Sequence, residues 1–158
     1  MEKKVMSKEY MLNNREQILS TVSAPHKRSK RPQLLTKKER KVLGVGKDQG
    51  VATAKSIRIS PSKVNIVLKL IRRKSLREAL AILKFTPKAA SEVLIKLLES
   101  AAANAVNNNS LDRDKLYLHE AYANPGALMK RYQPRSRGSA FSIMKRSSHI
   151  TVVLKEKA

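Results

Sequence analysis

Apolar positions along this chain change rhythm, and the changes mark its parts. Between residues 60 and 106 they recur every three or four positions, the spacing of one helix face. Val64, Val67, Leu68 and Ile71 line up in this way, with Lys63 and Lys69 on the other side, and predict a helix over 62–72. Ser60 and Pro61 supply its start: a capping residue, then the residue whose missing N–H costs nothing in the first turn. Ser75 opens a second helix, with Glu78 placed for a reciprocal capping box and Leu76, Ala79, Leu80 and Leu83 as its stripe. Thr86-Pro87 repeats the cap-then-proline signal and predicts a third. Ala90, Val93, Leu94, Leu97, Leu98, Ala101 and Ala105 form its continuous face, up to the turn cluster Asn107-Asn108-Asn109-Ser110.

Beyond residue 110 the period becomes two. Residues 115–122 alternate with Leu116 and Leu118 on one face, and residues 149–154 with Ile150, Val152 and Leu154. Residues 54–59 read as a further short strand. The expected fold class is α+β, with three helices packed on a small antiparallel sheet over residues 51–158. A segment of about 110 residues can bury an independent core of this kind.

Residues 1–50 show neither rhythm clearly and read as a basic extension, partly helical or disordered. Residues 8–22 fit a helix with Met11, Ile18 and Val22 on one face. Thr36 with Glu39 makes a capping box for a short helix, Lys37–Leu43, that Gly44 would stop. Between them APHKRSKRPQ (24–33) reads as a linker or arm. Its basic cluster at 27–31 fits a nuclear localisation signal, and contact with RNA explains it as well.

If 115–122 pairs antiparallel with 149–154, the chain between must run out and come back as a long protruding hairpin over 124–148. Each arm of about twelve residues reaches about 40 Å at roughly 3.3 Å per residue. Within it MKRYQPRSRGSAFSIMKRSS (129–148) holds Lys130, Arg131, Arg135, Arg137, Lys145 and Arg146 and no acid. Met-Lys-Arg occurs at 129–131 and again at 144–146, flanking Arg137-Gly138-Ser139. A centre between Arg137 and Gly138 places Lys130 opposite Lys145, Arg131 opposite Met144 and Met129 opposite Arg146. Like charges directly across a ladder repel. Such a ribbon is expected to order only along something negative, and phosphates suit it: Arg offers a planar fork of donors, Lys a point charge. Tyr132 and Phe141 offer rings for bases to stack on, and Pro134 suits an exposed position near the tip.

Composition agrees with that reading. The net charge is +22, spread as +8 over 1–50, +8 over 51–110 and +6 over 111–158, so the chain is not a neutral domain with a basic tail. A field this positive favours a polyanionic partner, nucleic acid first and an anionic membrane surface second. The absence of cysteine excludes structural disulfides, thiolate zinc sites and cysteine nucleophiles. No apolar run has the length of a membrane span. The N-terminus shows no apolar signal core, and Glu2, Glu9 and Glu16 weigh against a mitochondrial transit peptide. A second basic surface is expected around the first helix. Lys63, Lys69, Arg72, Arg73, Lys74 and Arg77 fall within fifteen residues with no acid until Glu78, and Lys55 and Arg58 precede them.

At this point the residues resemble a known family. GALMKRYQPRSRGSA (126–140) followed by IMKRSSHITVVL (143–154) is similar to the C-terminal hairpin of the large-subunit ribosomal protein twenty-two family. ISPSKV (59–64) and LIRRK (70–74) resemble the two ends of its first helix, and LESAAANA (98–105) the end of its long helix. The resemblance covers residues 52–155 in order. It implies a structural protein of the cytoplasmic large ribosomal subunit, whose partners are ribosomal RNA, neighbouring ribosomal proteins and, near the hairpin tip, the nascent chain. The implied tip, lining the peptide exit tunnel, is Pro134, Arg135, Ser136, Arg137, Gly138, Ser139 and Ala140. RNA-binding residues follow: Lys130, Arg131, Tyr132, Arg135, Arg137, Lys145 and Arg146 on the hairpin, and Lys55, Arg58, Lys63, Lys69, Arg72, Arg73 and Lys74 on the helix surface. The chain departs from the family at Arg73, where Gly is common, at Asn65, where a basic residue is common, and at Ser139, where Arg is frequent. Residues 1–50 have no counterpart in the family core.

Other chemistry finds little footing. His26, His119 and His149 are too few and too scattered for a metal site, although His119 and His149 could face each other across the strands. Asp112 and Asp114 sit in a polar turn and are expected to pair with Arg113 and Lys115 rather than work as acid and base. Gly44 and Gly46 lack the rest of a phosphate loop. No enzyme activity, cofactor, metal or small-molecule substrate is expected. A DNA-binding β-ribbon protein is the alternative class, disfavoured because no spare apolar stripe remains for a dimer. A membrane-surface protein fails for want of a wide apolar face.

Overall fold

The computed structural model describes residues 6–25 and 34–157. The chain falls into two compact units, residues 1–47 and 48–158. His26 and the basic cluster at 27–31 lie outside the described residues.

The first unit contains α1 (Lys8–Asn13), α2 (Arg15–Ser23) and α3 (Lys37–Leu43). The single helix expected over 8–22 is broken at Asn14, whose backbone leaves the helical region at φ −109° and ψ 25°. Asn competes with helical hydrogen bonding, and here the Asn14 amide donates back to the Tyr10 carbonyl at 3.1 Å. Met11 and Leu43 are buried, while Ile18 and Val22 are only half-buried. The Thr36–Glu39 capping box forms, and Gly44 ends α3 in the left-handed region at φ 68°. Glu39 does more than cap: its buried carboxylate also accepts the Met6 N–H at 3.3 Å. The Arg15 Nε donates to the Leu43 carbonyl at 3.1 Å and so covers one open end of α3.

The second unit contains β1 (Gln49–Ile57), α4 (Pro61–Ile71), α5 (Leu76–Phe85), α6 (Ala89–Asn109), a 3-10 turn (Arg113–Lys115), β2 (Leu116–Pro134) and β3 (Ala140–Glu156). The strands form one antiparallel sheet in the order β1-β3-β2, so the fold is α+β. The three helices expected from the 3.6 period are α4, α5 and α6. Val64, Leu68, Ile71, Leu83, Leu94 and Leu98 are fully buried on them against Leu116, Leu118, Ile150, Val152 and Leu154 of the sheet. Each such side chain contributes about 1.5–3 kcal/mol relative to exposure.

Two element starts differ from expectation. Thr86 closes α5 instead of opening α6, because its hydroxyl donates to the Ile82 carbonyl at 2.7 Å. The next helix then begins at Ala89 with Lys88 as its cap. β1 begins at Gln49 rather than at 54. Gly50 weakens the strand signal, yet it is required. A Cβ there would lie 2.5 Å from the Ala101 carbonyl oxygen and 2.5 Å from the Ala105 Cβ. The small residues of α6 thus let a helix lie directly on the strand. Ser60 holds the cap position of α4 but bonds the Ser62 hydroxyl at 2.9 Å, not the helix backbone.

Both edges of the sheet are covered by side chains. On β1, the Asn104 and Asn109 amides of α6 donate to the Val51 and Gln49 carbonyls at 2.9 and 2.7 Å. On β2, the Asn65 side chain pairs with both backbone groups of Ala123, at 3.4 and 3.2 Å, as another strand would. Arg72 donates to the Ala121 carbonyl at 2.8 Å. The Arg73 N–H donates to the Leu118 carbonyl at 3.0 Å, and the Leu118 N–H to the Lys74 carbonyl at 2.9 Å. Backbone groups that would recruit a foreign strand are thereby occupied.

Candidate nucleic-acid interface

The hairpin grows from the sheet at a level where two strands are irregular. β3 has β1 as a partner only as far as Ile57 opposite Ser148. There β1 ends in a bulge with Ser56 at φ 57°, and the Ser56 N–H donates to His149 Nδ1 at 2.9 Å. β2 has its own bulge between Pro125 and Leu128. The buried Ser147 hydroxyl donates to the Ala127 carbonyl at 2.5 Å, and a Cβ on Gly126 would lie 2.7 Å from that hydroxyl oxygen. Past this root the pair is two-stranded, with arms of about ten residues reaching about 33 Å rather than the twelve and 40 Å expected. Every residue from Ala127 to Arg146 is exposed.

The register differs from expectation by one residue. Lys130 faces Met144, Arg131 faces Ile143, Met129 faces Lys145 and Leu128 faces Arg146. The turn itself is centred as expected, with Arg137 and Gly138 both left-handed and the Ser139 N–H reaching the Ser136 carbonyl at 3.4 Å. The Arg135 N–H also reaches the Ser139 carbonyl, at 2.9 Å, so two residues of the incoming arm oppose one of the outgoing arm. That bulge slips everything below it by one position. The direct Lys130–Lys145 repulsion is therefore absent. Lys130 shares a face with Arg146, and Arg131 with Lys145, each pair diagonal. Diagonal neighbours stand about 7–8 Å apart instead of about 5, which in water lowers their repulsion by roughly a third.

Each face becomes a checkerboard of basic and apolar side chains. One carries Leu128, Lys130, Tyr132, Met144 and Arg146; the other carries Met129, Arg131, Phe141, Ile143 and Lys145. Tyr132 and Phe141 are 68% and 58% exposed and point to opposite faces. Arg135 lies over the Phe141 ring at 5.7 Å, so this tip charge is stacked. Pro134 and Ala140 close the ladder, which confines the loop to 135–139, and nothing lies within 4 Å of a Cβ on Gly138.

The expected helix surface divides in two. Lys55, Arg58 and Lys63 are exposed at the start of α4 or just before it. Lys69, Arg72, Arg73 and Lys74 are exposed at its end, about 16 Å away along an 11-residue helix. Arg72 is partly committed to Ala121, as described above. Arg77 forms an ion pair with Asp114 at 2.7 Å, so Asp114 does not pair with its chain neighbours, whereas Asp112 and Lys115 approach to 3.7 Å. His119 and His149 do not face each other. Asn124 lies opposite His149, and His119 sits in a bulge between Leu118 and Glu120. That bulge moves the buried positions of β2 from Leu116 and Leu118 to Ala121 and Ala123, so the alternation expected over 115–122 changes phase midway.

Comparison with known proteins decides the family. Residues 52–155 match the family described as Ribosomal protein L22p/L17e. The chain belongs to this family. It is 61% identical over 125 residues to the large ribosomal subunit protein uL22 of Acetivibrio thermocellus, covering 79% of this chain and 100% of the relative. It is 58% identical over 107 residues to the uL22 of Clostridium novyi, covering 68% and 96%. With the uL22 of Lactobacillus delbrueckii subsp. bulgaricus it shares 56% over 105 residues, covering 66% and 90%. The chain is therefore a ribosomal protein and not an enzyme.

Several interface features escaped the sequence reading. Ile66 and Leu70 are 63% and 50% exposed on α4, between its two basic groups. Both fall outside the stripe formed by Val64, Val67, Leu68 and Ile71, and their outward placement could have been found there. The edge-covering roles of Asn65, Arg72, Asn104 and Asn109 have no local signature, since they depend on which strand lies alongside.

Proposed function

We propose that this protein is a structural component of the cytoplasmic large ribosomal subunit that binds and organises ribosomal RNA. Residues 51–158 form its ribosomal domain, and residues 1–50 a basic extension. The hairpin threads between RNA segments and lines the peptide exit tunnel with Arg135, Ser136, Arg137, Gly138 and Ser139 at its tip, beside the nascent chain. Lys130, Arg131, Lys145 and Arg146 contact phosphates, with Tyr132 stacking, while the two ends of α4 dock the domain. The observation that carries this reading is an acid-free ribbon with basic and apolar side chains exposed on both faces. Within residues 48–157 nothing covers such a ribbon, whereas RNA offers phosphates and base faces together. The names of the relatives, all large ribosomal subunit proteins of bacteria, support it.

Cosedimentation tests the proposal. The protein should travel with the large subunit and stay bound through moderate salt. Replacing Lys130 and Arg131 by Ala should lower the log–log salt dependence of RNA binding by roughly 0.7–0.9 for each phosphate that is no longer neutralised. Recovery as a free protein, or equal affinity for duplex DNA and ribosomal RNA at matched salt, would contradict it.

A further inference from the structure

The basic end of α4 holds two of its cations in a more specific setting than an open docking surface. A cleft of about 550 Å³ lies between the end of α4 and β2, lined by Arg72, Arg73, Tyr117, His119, Glu120 and Tyr122. Its size is that of a small-ligand site. Arg73 holds a left-handed backbone at φ 63°. A Cβ is disfavoured there and glycine is not. The backbone bond made at this position, from the Arg73 N–H to the Leu118 carbonyl, needs no side chain. The Arg73 guanidinium makes no hydrogen bond or ion pair among the described residues. A strained position that keeps a long cation with no structural task points to a use outside the chain.

The rest of the lining complements that cation. Arg72 is anchored on the Ala121 carbonyl at 2.8 Å, which fixes its guanidinium at the wall and leaves further N–H groups for a ligand. Tyr117 and His119 pack edge to face at 5.9 Å, with the phenol oxygen 3.3 Å from Nδ1. Tyr122 is 42% exposed. Glu120 lies 3.8 Å from His119 Nε2 and is the lone carboxylate against two guanidinium groups. We infer that this cleft receives one unstacked nucleotide of single-stranded RNA. Arg72 and Arg73 take its phosphate, Tyr122 takes the base face, and Glu120 accepts from a base amino group. The inference rests on the RNA-binding function proposed above and adds a discrete site to it.

The sign of two effects tests it. Full-length protein is titrated with a six-residue oligoadenylate, crosslinked by ultraviolet light, and the yield on the peptide carrying Tyr122 is read beside the thermal unfolding midpoint. Arg73→Gly should raise the midpoint, because strain is relieved, while weakening binding at Tyr122 by about tenfold. Arg73→Lys should bind within a few-fold of the parent without the gain in stability. Tyr122→Phe should retain binding and crosslinking, because the ring remains. Unchanged binding by Arg73→Gly would overturn the inference. Crosslinks confined to the hairpin would overturn the site while leaving the RNA-binding function standing, and no crosslink anywhere would remove both. Adenosine monophosphate competing as well as the oligonucleotide would overturn the assignment to RNA.

Discussion

Between Leu116 and Asn124, β2 lies against β3 with helices packed on one face, β3 joined to β1 on its far side, and its own free edge closed by Asn65, Arg72 and the backbone of Arg73 and Lys74. From Leu128 to Pro134 the same two strands run on with neither helix nor third strand, and all their side chains are exposed. Backbone pairing is available to both regions. What differs is burial, and the difference shows how little a ladder holds without it. Intramolecular hydrogen bonds contribute only about 0.5–1.5 kcal/mol each over bonds to water, so a bare two-stranded ribbon is marginal. In the sheet, closing the core stabilises; in the ribbon, whatever closes over it must come from outside the globular unit.

The largest contrast should appear on truncating apolar side chains. Leu98→Ala or Ile150→Ala, each at a fully buried position, should cost about 2–5 kcal/mol in urea unfolding. Met144→Ala, in the ribbon, should stay within about 0.5 kcal/mol. Equal losses would show that the ribbon packs on something in the free protein. Next in size is a pair of glycine substitutions. Gly50→Ala forces a Cβ against the backbone of α6 and should cost about 1–3 kcal/mol of global stability. Gly138→Ala meets open space at φ 70°, so its local strain of about 1–2 kcal/mol should leave the unfolding midpoint nearly unmoved. A smaller effect sharpens the role of the covered edge. Asn65→Leu leaves the partly buried N–H and carbonyl of Ala123 unpaired and should cost about 0.5–1.5 kcal/mol by thermal melting, whereas Lys130→Ala should change RNA affinity but not the melt.

The same division explains what the sequence could reveal. Local periodicity identified the core stripes of α4, α5 and α6, and reciprocal caps at Ser75 and Thr36 are read from adjacent residues. The acid-free run and its centre between Arg137 and Gly138 were legible for the same reason, and the structure adds that both residues are left-handed. Register was not. One extra residue at Arg135 exchanges Lys130–Lys145 for Lys130–Met144, and no nearby residue type announces that bulge. Thr86 misled because a hydroxyl can satisfy the helix behind it as readily as the one ahead. β1 began earlier than its composition suggested because Gly50 answers to α6, half the domain away in sequence. Arg73 is legible as part of the basic helix surface and as a departure from the family, and its left-handed backbone gives that departure physical content.

Amide hydrogen exchange on the free protein and on the assembled large subunit tests the contrast most directly. In the free protein, amides at 118–123 and 150–154 should be protected to near the global stability, while those at 128–134 and 140–146 should exchange almost as in an open chain. On the subunit the ribbon amides should become protected and the sheet amides should change little. Strong protection of the ribbon in the free protein would contradict the account, because its order would then not depend on RNA.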